Sequence, residues 1–246
     1  MNVLSPMDRM RRYRGFGPLT LLCLVFLYAP LAVMAIYSFN KSRSITSWGG
    51  FSLDWYFRLI ENPAIRNAAM NSVIVALISA TLATVLATLV AIGLGRGRER
   101  LPAEAALGAL VRFPLVVPEI VTAISSLIFF VSIGVPLGFV AIIIAHSVFC
   151  IPFAYLPIAA RLASIEASLD EAAQDLYGNR SSTIFEILLP LTTPGILAGF
   201  CLAFIVSLDD FIIANFLTGP GSATLPVVIY GMAKTGFSPE VNAVAT

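Results

Sequence analysis

Three carboxylates stand in stretches that are otherwise apolar, and they are the residues with which this chain could do chemistry. Glu119 follows Pro118 in LVVPEIVTA, with Pro114 four residues before that proline, and Asp209 and Asp210 sit side by side in SLDDF. A carboxylate in hydrocarbon costs about 2.5–3.5 kcal/mol even on the lenient insertion scale, and such a cost points to a use. Neither Pro114 nor Pro118 can donate a backbone N–H, so carbonyls near Glu119 are expected to be freed. Together the three acids could line a path for a cation, with Phe211 and Phe216 supplying aromatic faces. The alternative is internal: Glu119 pairs with Arg112, and the two aspartates cap or bridge helices. The single histidine, His146, also lies in an apolar stretch. Without a second histidine it reads as a helix-packing hydrogen bonder rather than a proton relay, and it is not among the candidate site residues.

The elements that must position these acids are membrane helices. Of 246 residues, 58% are apolar and only 12% charged, with a mean hydropathy of +0.90, which excludes an ordinary soluble domain. Apolar stretches of the roughly 20 residues needed to cross a bilayer run over 18–37, 72–94, 107–133, 137–160 and 195–217. The third and fourth meet at Gly134-Val135-Pro136, a turn that predicts an antiparallel hairpin. After Pro239-Glu240, small apolar residues resume up to Thr246, so a sixth span is expected to begin there and to be truncated. The fold class is therefore an all-α polytopic membrane protein, with 1–246 as one transmembrane domain.

Arg9, Arg11, Arg12 and Arg14 precede the first span and Arg96, Arg98 and Arg100 follow the second, which predicts a cytoplasmic amino terminus. Lys41, Arg43, Arg58 and Arg66 between those spans run mildly against this. The first apolar run is too long for a cleavable signal and reads as a permanent anchor. Cys23, Cys150 and Cys201 all fall within spans, so neither a disulfide nor a metal framework is expected. There is no G-x-x-x-x-G-K-[ST] phosphate loop, H-E-x-x-H or G-x-S-x-G, so the chain is not expected to be an enzyme or to hold a cofactor. Any energy must come from a partner.

Residues 168–194 form a polar island between spans. Ser168 with Glu171, and Thr183 with Glu186, have capping-box spacing, which predicts two short helices. The first, built on Ala172 and Ala173, should end near Tyr177-Gly178; the second presents Ile184, Phe185, Ile187, Leu188 and Leu189 and should stop at Pro190. Here the chain resembles the permease subunits of binding-protein-dependent ABC importers. Glu171, Ala172 and Ala173 match the loop motif of that family, as do Ile187, Leu189 and Pro190. Tyr177 stands where the family has glycine, with Gly178 one step later. The resemblance implies that the cytoplasmic loop 161–194 docks on an ATP-hydrolysing subunit.

Further stretches, FLYAPL (26–31), YSFN (37–40), SLDDF (207–211), TGPG (218–221), LP (225–226) and SPEVNA (238–243), look like those of spermidine/putrescine ABC transporter permeases. That resemblance implies the type I importer permease core in the bacterial inner membrane. It also implies a second permease, two ATPase subunits and a periplasmic solute-binding protein as partners, with no nucleic acid among them. It adds Trp48 to Glu119, Asp209 and Asp210 as substrate-path candidates. Spaced carboxylates and aromatic walls suit a flexible polycation. Other solutes for the same architecture (an opine, an amino-alkyl phosphonate, a metal ion) and a channel or sensor with a regulatory docking loop are the alternatives.

Overall fold

The computed structural model describes residues 16–43, 47–95, 102–166, 168–169, 179–236 and 239–246. In chain order the helices are α1 (Phe16–Ser38), α2 (Asp54–Glu61), α3 (Pro63–Gly95), α4 (Pro102–Arg112), α5 (Glu119–Ser132), α6 (Phe139–Ala163), α7 (Leu189–Asp209), α8 (Ile212–Leu217), α9 (Leu225–Thr235) and α10 (Pro239–Ala245). Among the described residues there is no strand, only an isolated bridge between Asn40 and Phe51. The chain divides into two compact units, one of 1–63 with 229–246 and one of 64–228.

In the first unit, α10 packs on α1 and α2. The apolar window of α1 is not buried at all, as suits a helix whose solvent is hydrocarbon. The turn after it is organised by Asn40, which donates to Ser47 O (2.8 Å) and accepts from Gly49 N (2.8 Å) and Ser42 N (3.2 Å). Buried Trp55 closes the turn by donating Nε1–H to Asn40 O at 2.8 Å.

The second unit is built on close helix contacts. Ala76, Ala80, Ala83, Ala87 and Ala91 repeat at helical spacing and form one buried face of α3, and Ala80, Ala83, Ala87 and Ala91 share a core with Ala141, Ile142 and Cys150 of α6. Ser79 of α3 donates to Ile143 O of α6 at 3.2 Å. The α6–α7 contact depends on missing side chains: a Cβ at Gly195 would lie 2.5 Å from Arg161 Cβ, and one at Gly199 2.6 Å from Ala154 O. Without a driving force from water, such backbone approach is how membrane helices gain packing. At the other end, Asn71 of α3 donates to Gly221 O and Ala223 O, and Ser72 accepts from Leu225 N, fastening the 219–225 segment to α3.

Four helices are long and apolar enough to cross a membrane, and a bent pair makes five. The long α6 matches the expected fourth span. The third expected span is not one rod. It bends by 105° between Leu115 and Glu119, because Pro114 and Pro118 withhold the N–H groups that would carry a helix through. The fifth is shifted: it starts earlier than Gly195 and ends at Asp209, with Asp210 extended (ψ 122°) before α8 begins. Beyond the expected fifth span the chain holds a further helix, α9.

The carboxyl-terminal half of the polar island differs from expectation too. Asn179, not Thr183, caps it: Ser182 N donates to Asn179 Oδ1 at 2.7 Å, while Thr183 Oγ donates to Asn179 O. An amide oxygen three residues back already satisfies the orphan N–H, leaving no role for a Thr183–Glu186 box. Pro190 does not stop the helix either. Thr183–Leu188 form a π-helix that runs into α7, with Pro190 in the first turn of α7. The wider π turn takes a carbonyl out of register, and a proline that has no N–H to give can follow it.

Candidate functional site

Two acids sit at helix beginnings. Glu119 is the first residue of α5, where Pro118 in an extended conformation starts the helix. Asp210 precedes α8 and its Oδ1 accepts the N–H of Ala214 at 3.0 Å. Both places put a carboxylate near unpaired N–H groups and the positive end of aligned peptide dipoles, which offsets part of the cost of charge away from water.

These breaks bring the acids together. Glu119, Asp209 and Asp210 line one cavity of about 330 Å³ with Phe149, Phe153, Val206, Phe211 and Ile212. The Glu119 carboxyl lies within interaction distance of Asp210 and also feels Asp209. Among the described residues lining the cavity there is no lysine or arginine. Carboxylates held this way repel one another, and a bound cation relieves the repulsion. The Arg112–Glu119 pair is not formed; Arg112 instead lies over the ring of Tyr155, 5.8 Å from its centroid.

The three acids are not equivalent. Asp209 is exposed, Glu119 half-buried and Asp210 buried at 6% exposure. Asp210 faces His146 of α6, whose Nε2 lies 3.3 Å from Oδ1, an ion-pair distance at which the ring is not aligned for a hydrogen bond. Nδ1 of the same ring is 2.8 Å from Ser207 Oγ of α7. Oδ2 of Asp210 is buried and has no hydrogen-bond partner. Reasoning from sequence set His146 aside and assigned the aromatic wall to Phe211 and Phe216. Phe211 does line the cavity, but Phe216 packs into the core, and Phe149 and Phe153, a tilted pair 5.5 Å apart, take its place. The signal was present: His146, Phe149, Cys150 and Phe153 recur at the spacing of a single helix face.

Residues 90–237 match the family described as binding-protein-dependent transport system inner membrane component. That stretch is more than half of the chain. The chain belongs to this family. As a multi-pass inner-membrane permease it is 39% identical over 221 residues to the spermidine/putrescine transport system permease protein PotC of Haemophilus influenzae, covering 90% of this chain and 85% of that one. It is 38% identical over 233 residues to the putrescine transport system permease protein PotI of Escherichia coli, covering 92% and 82%. The permease fold is similar to the crystal structure of a bacterial ABC transporter involved in the import of the acidic polysaccharide alginate, with a TM-score of 0.73 at 18% identity over 100% of this chain and 93% of that one. An amino acid ABC transporter matches at a TM-score of 0.60 and 16% identity, over 79% and 91%. The fold is thus that of type I importer permeases.

The remaining candidates lie elsewhere in the permease. Trp48 is half-exposed in the first unit, edge-on to Tyr37 with centroids 6.0 Å apart. Of the docking residues, Ile187 lies in the π-helix and Leu189 and Pro190 open α7; Ile187 and Leu189 are half-buried and Pro190 is exposed. Glu171, Ala172, Ala173, Tyr177 and Gly178 lie outside the described residues, and so do the arginines that flank the first two spans on their expected cytoplasmic sides.

Proposed function

We propose that this permease passes polyamine cations across the inner membrane and that Glu119, Asp209 and Asp210 attract their ammonium groups. The observation that carries this reading is the gathering of three carboxylates and three phenylalanines around one cavity that, among the described residues, no basic side chain lines. Spermidine and putrescine are flexible, multiply charged cations, and an acidic, aromatic-walled cavity favours their entry without binding them rigidly. The printed functions of the relatives from Haemophilus influenzae and Escherichia coli support the same substrate class. Trp48 belongs to the substrate path on this reading through family resemblance.

The permease works with a second permease, two ATPase subunits that hydrolyse ATP, and a periplasmic solute-binding protein. Both units of the chain serve as one transmembrane domain. Its amino terminus and the 161–194 loop face the cytoplasm, a reading supported by the arginine distribution. Within that loop Glu171, Ala172, Ala173, Tyr177, Gly178, Ile187, Leu189 and Pro190 dock on the ATPase. Ala172→Arg should therefore weaken assembly or stimulated ATP hydrolysis while membrane insertion is kept.

The deciding experiment is uptake of radiolabelled spermidine by cells co-expressing the cognate importer subunits, with the triple variant Glu119→Gln, Asp209→Asn, Asp210→Asn. These changes remove charge with little change of volume, so uptake should fall at least about tenfold, equivalent to about 1.4 kcal/mol in the transport barrier. Normal uptake at matched membrane levels would mean that the acids are structural.

A further inference from the structure

We propose that His146 is a positioning residue for the cation site, holding Asp210 by Oδ1 so that Oδ2 stays available to an ammonium group. This rests on the polyamine-cavity reading above and deepens it. His146 does not line the cavity; it acts from behind the carboxylate that does.

The ring is itself fixed. At 1% exposure within α6, His146 has Ser207 Oγ at 2.8 Å on Nδ1 and Asp210 Oδ1 at 3.3 Å on Nε2. An ionised carboxylate only accepts, so in the neutral ring the proton sits on Nε2, and Nδ1 then accepts from the Ser207 hydroxyl. Ser207 thereby fixes the ring plane from α7, one turn before Asp210, while the carboxylate selects the tautomer. Asp210 is consequently met at one oxygen from two sides, by a hydrogen bond from the N–H of Ala214 in α8 and by a close polar contact with the imidazole of α6.

The other oxygen is left over. Oδ2 is buried without a partner on a residue that lines the acidic cavity, and a buried acceptor in that state calls for a donor. Of the acids that also face Asp210, Glu119 from α5 comes within hydrogen-bonding reach of it and could share a proton with it, but neither Glu119 nor neighbouring Asp209 brings positive charge. A protonated amine supplies the donor and the positive charge together. The imidazole does not take that place, because its Nε2 is on the Oδ1 side and misaligned for a full hydrogen bond. Asp210 is thus oriented without being neutralised.

The test compares His146→Leu, which keeps bulk but has no donor, with His146→Gln, whose amide nitrogen reaches about as far as Nε2. Radiolabelled spermidine uptake is measured in cells co-expressing the importer subunits at matched membrane levels. His146→Leu should lower the maximal rate about tenfold with the half-saturating spermidine concentration unchanged, the signature of a group acting at the crossing step rather than in solute capture. His146→Gln should recover most of that rate. If His146→Leu fails to assemble, Ser207→Ala should lower the maximal rate several-fold in an assembled importer. Normal rates in His146→Leu or in assembled Ser207→Ala, or equal loss in the Leu and Gln variants, would overturn the assignment. Loss of uptake in the Glu119, Asp209 and Asp210 variants alongside normal His146→Leu rejects only the role of His146. Normal uptake in the acid variants rejects the cavity reading itself.

Discussion

The second unit interrupts its helices on either side of the acidic cavity, and the two interruptions are made differently. Between α4 and α5 the chain bends by 105° at Pro114 and Pro118, residues that cannot contribute a helical N–H. Between α7 and α8 there is no proline. Asp210 leaves the helical conformation at ψ 122° and turns its carboxylate onto Ala214 N. The first break is written into covalent structure; the second exists through a side-chain bond made by the acid that faces the cavity. One residue therefore ends a helix, begins another and presents charge, whereas Glu119 has its place prepared for it.

Changes at Asp210 should separate those jobs and give the largest effects. Asp210→Ala removes both cap and charge, and spermidine uptake should fall about a hundredfold while stability drops by about 1 kcal/mol, the usual worth of a lost helix cap. Asp210→Asn keeps an acceptor oxygen, so it should lose transport with thermal stability in detergent nearly unchanged. Equal destabilisation by the two would mean that the second break is not made by the side-chain bond.

At the proline break the effect should be smaller. Pro118→Ala lifts a helix penalty of about 3 kcal/mol and lets the bend relax, so uptake should fall about tenfold with stability maintained or raised. Unchanged uptake would assign the bend to the packing of α5 on α8 instead. Phe153→Leu should reduce uptake about threefold by removing one aromatic wall, and equal rates would mean that carboxylates alone suffice. Gly199→Ala, outside both breaks, should have the smallest effect on uptake. Its new methyl meets Ala154 O at 2.6 Å, so it should cost about 1–3 kcal/mol of stability while uptake per assembled importer changes less than about twofold.

The contrast also explains what the sequence made legible. Prolines 114 and 118 announce a disturbed helix before Glu119, but not its angle, which depends on what α5 packs against. SLDDF carries no backbone punctuation, so an apolar count runs straight through it and extends the span to Leu217. The π-helix at Thr183–Leu188 was illegible for a similar reason: Pro190 signals a stop only when the preceding turn is α-helical. The three acids were legible from their cost in hydrocarbon alone. His146 was set aside because a lone histidine has no visible partner in a linear sequence, and its partners Ser207 and Asp210 lie some sixty residues further on. Phe149 and Phe153 were hidden among many phenylalanines until one helix face gathered them beside the acids.

The bend before α5 also acts as a ruler. A helix of 14 residues is about 21 Å long, against a hydrocarbon layer of about 30 Å. With the turn at 133–138 taken at a membrane face, as the expected hairpin between the third and fourth spans implies, a helix of this length would stop short of the opposite face. On that placement the number of residues behind Glu119 sets its depth, and inserting or deleting one turn of α5 would move the charge along the helix axis by about 5 Å.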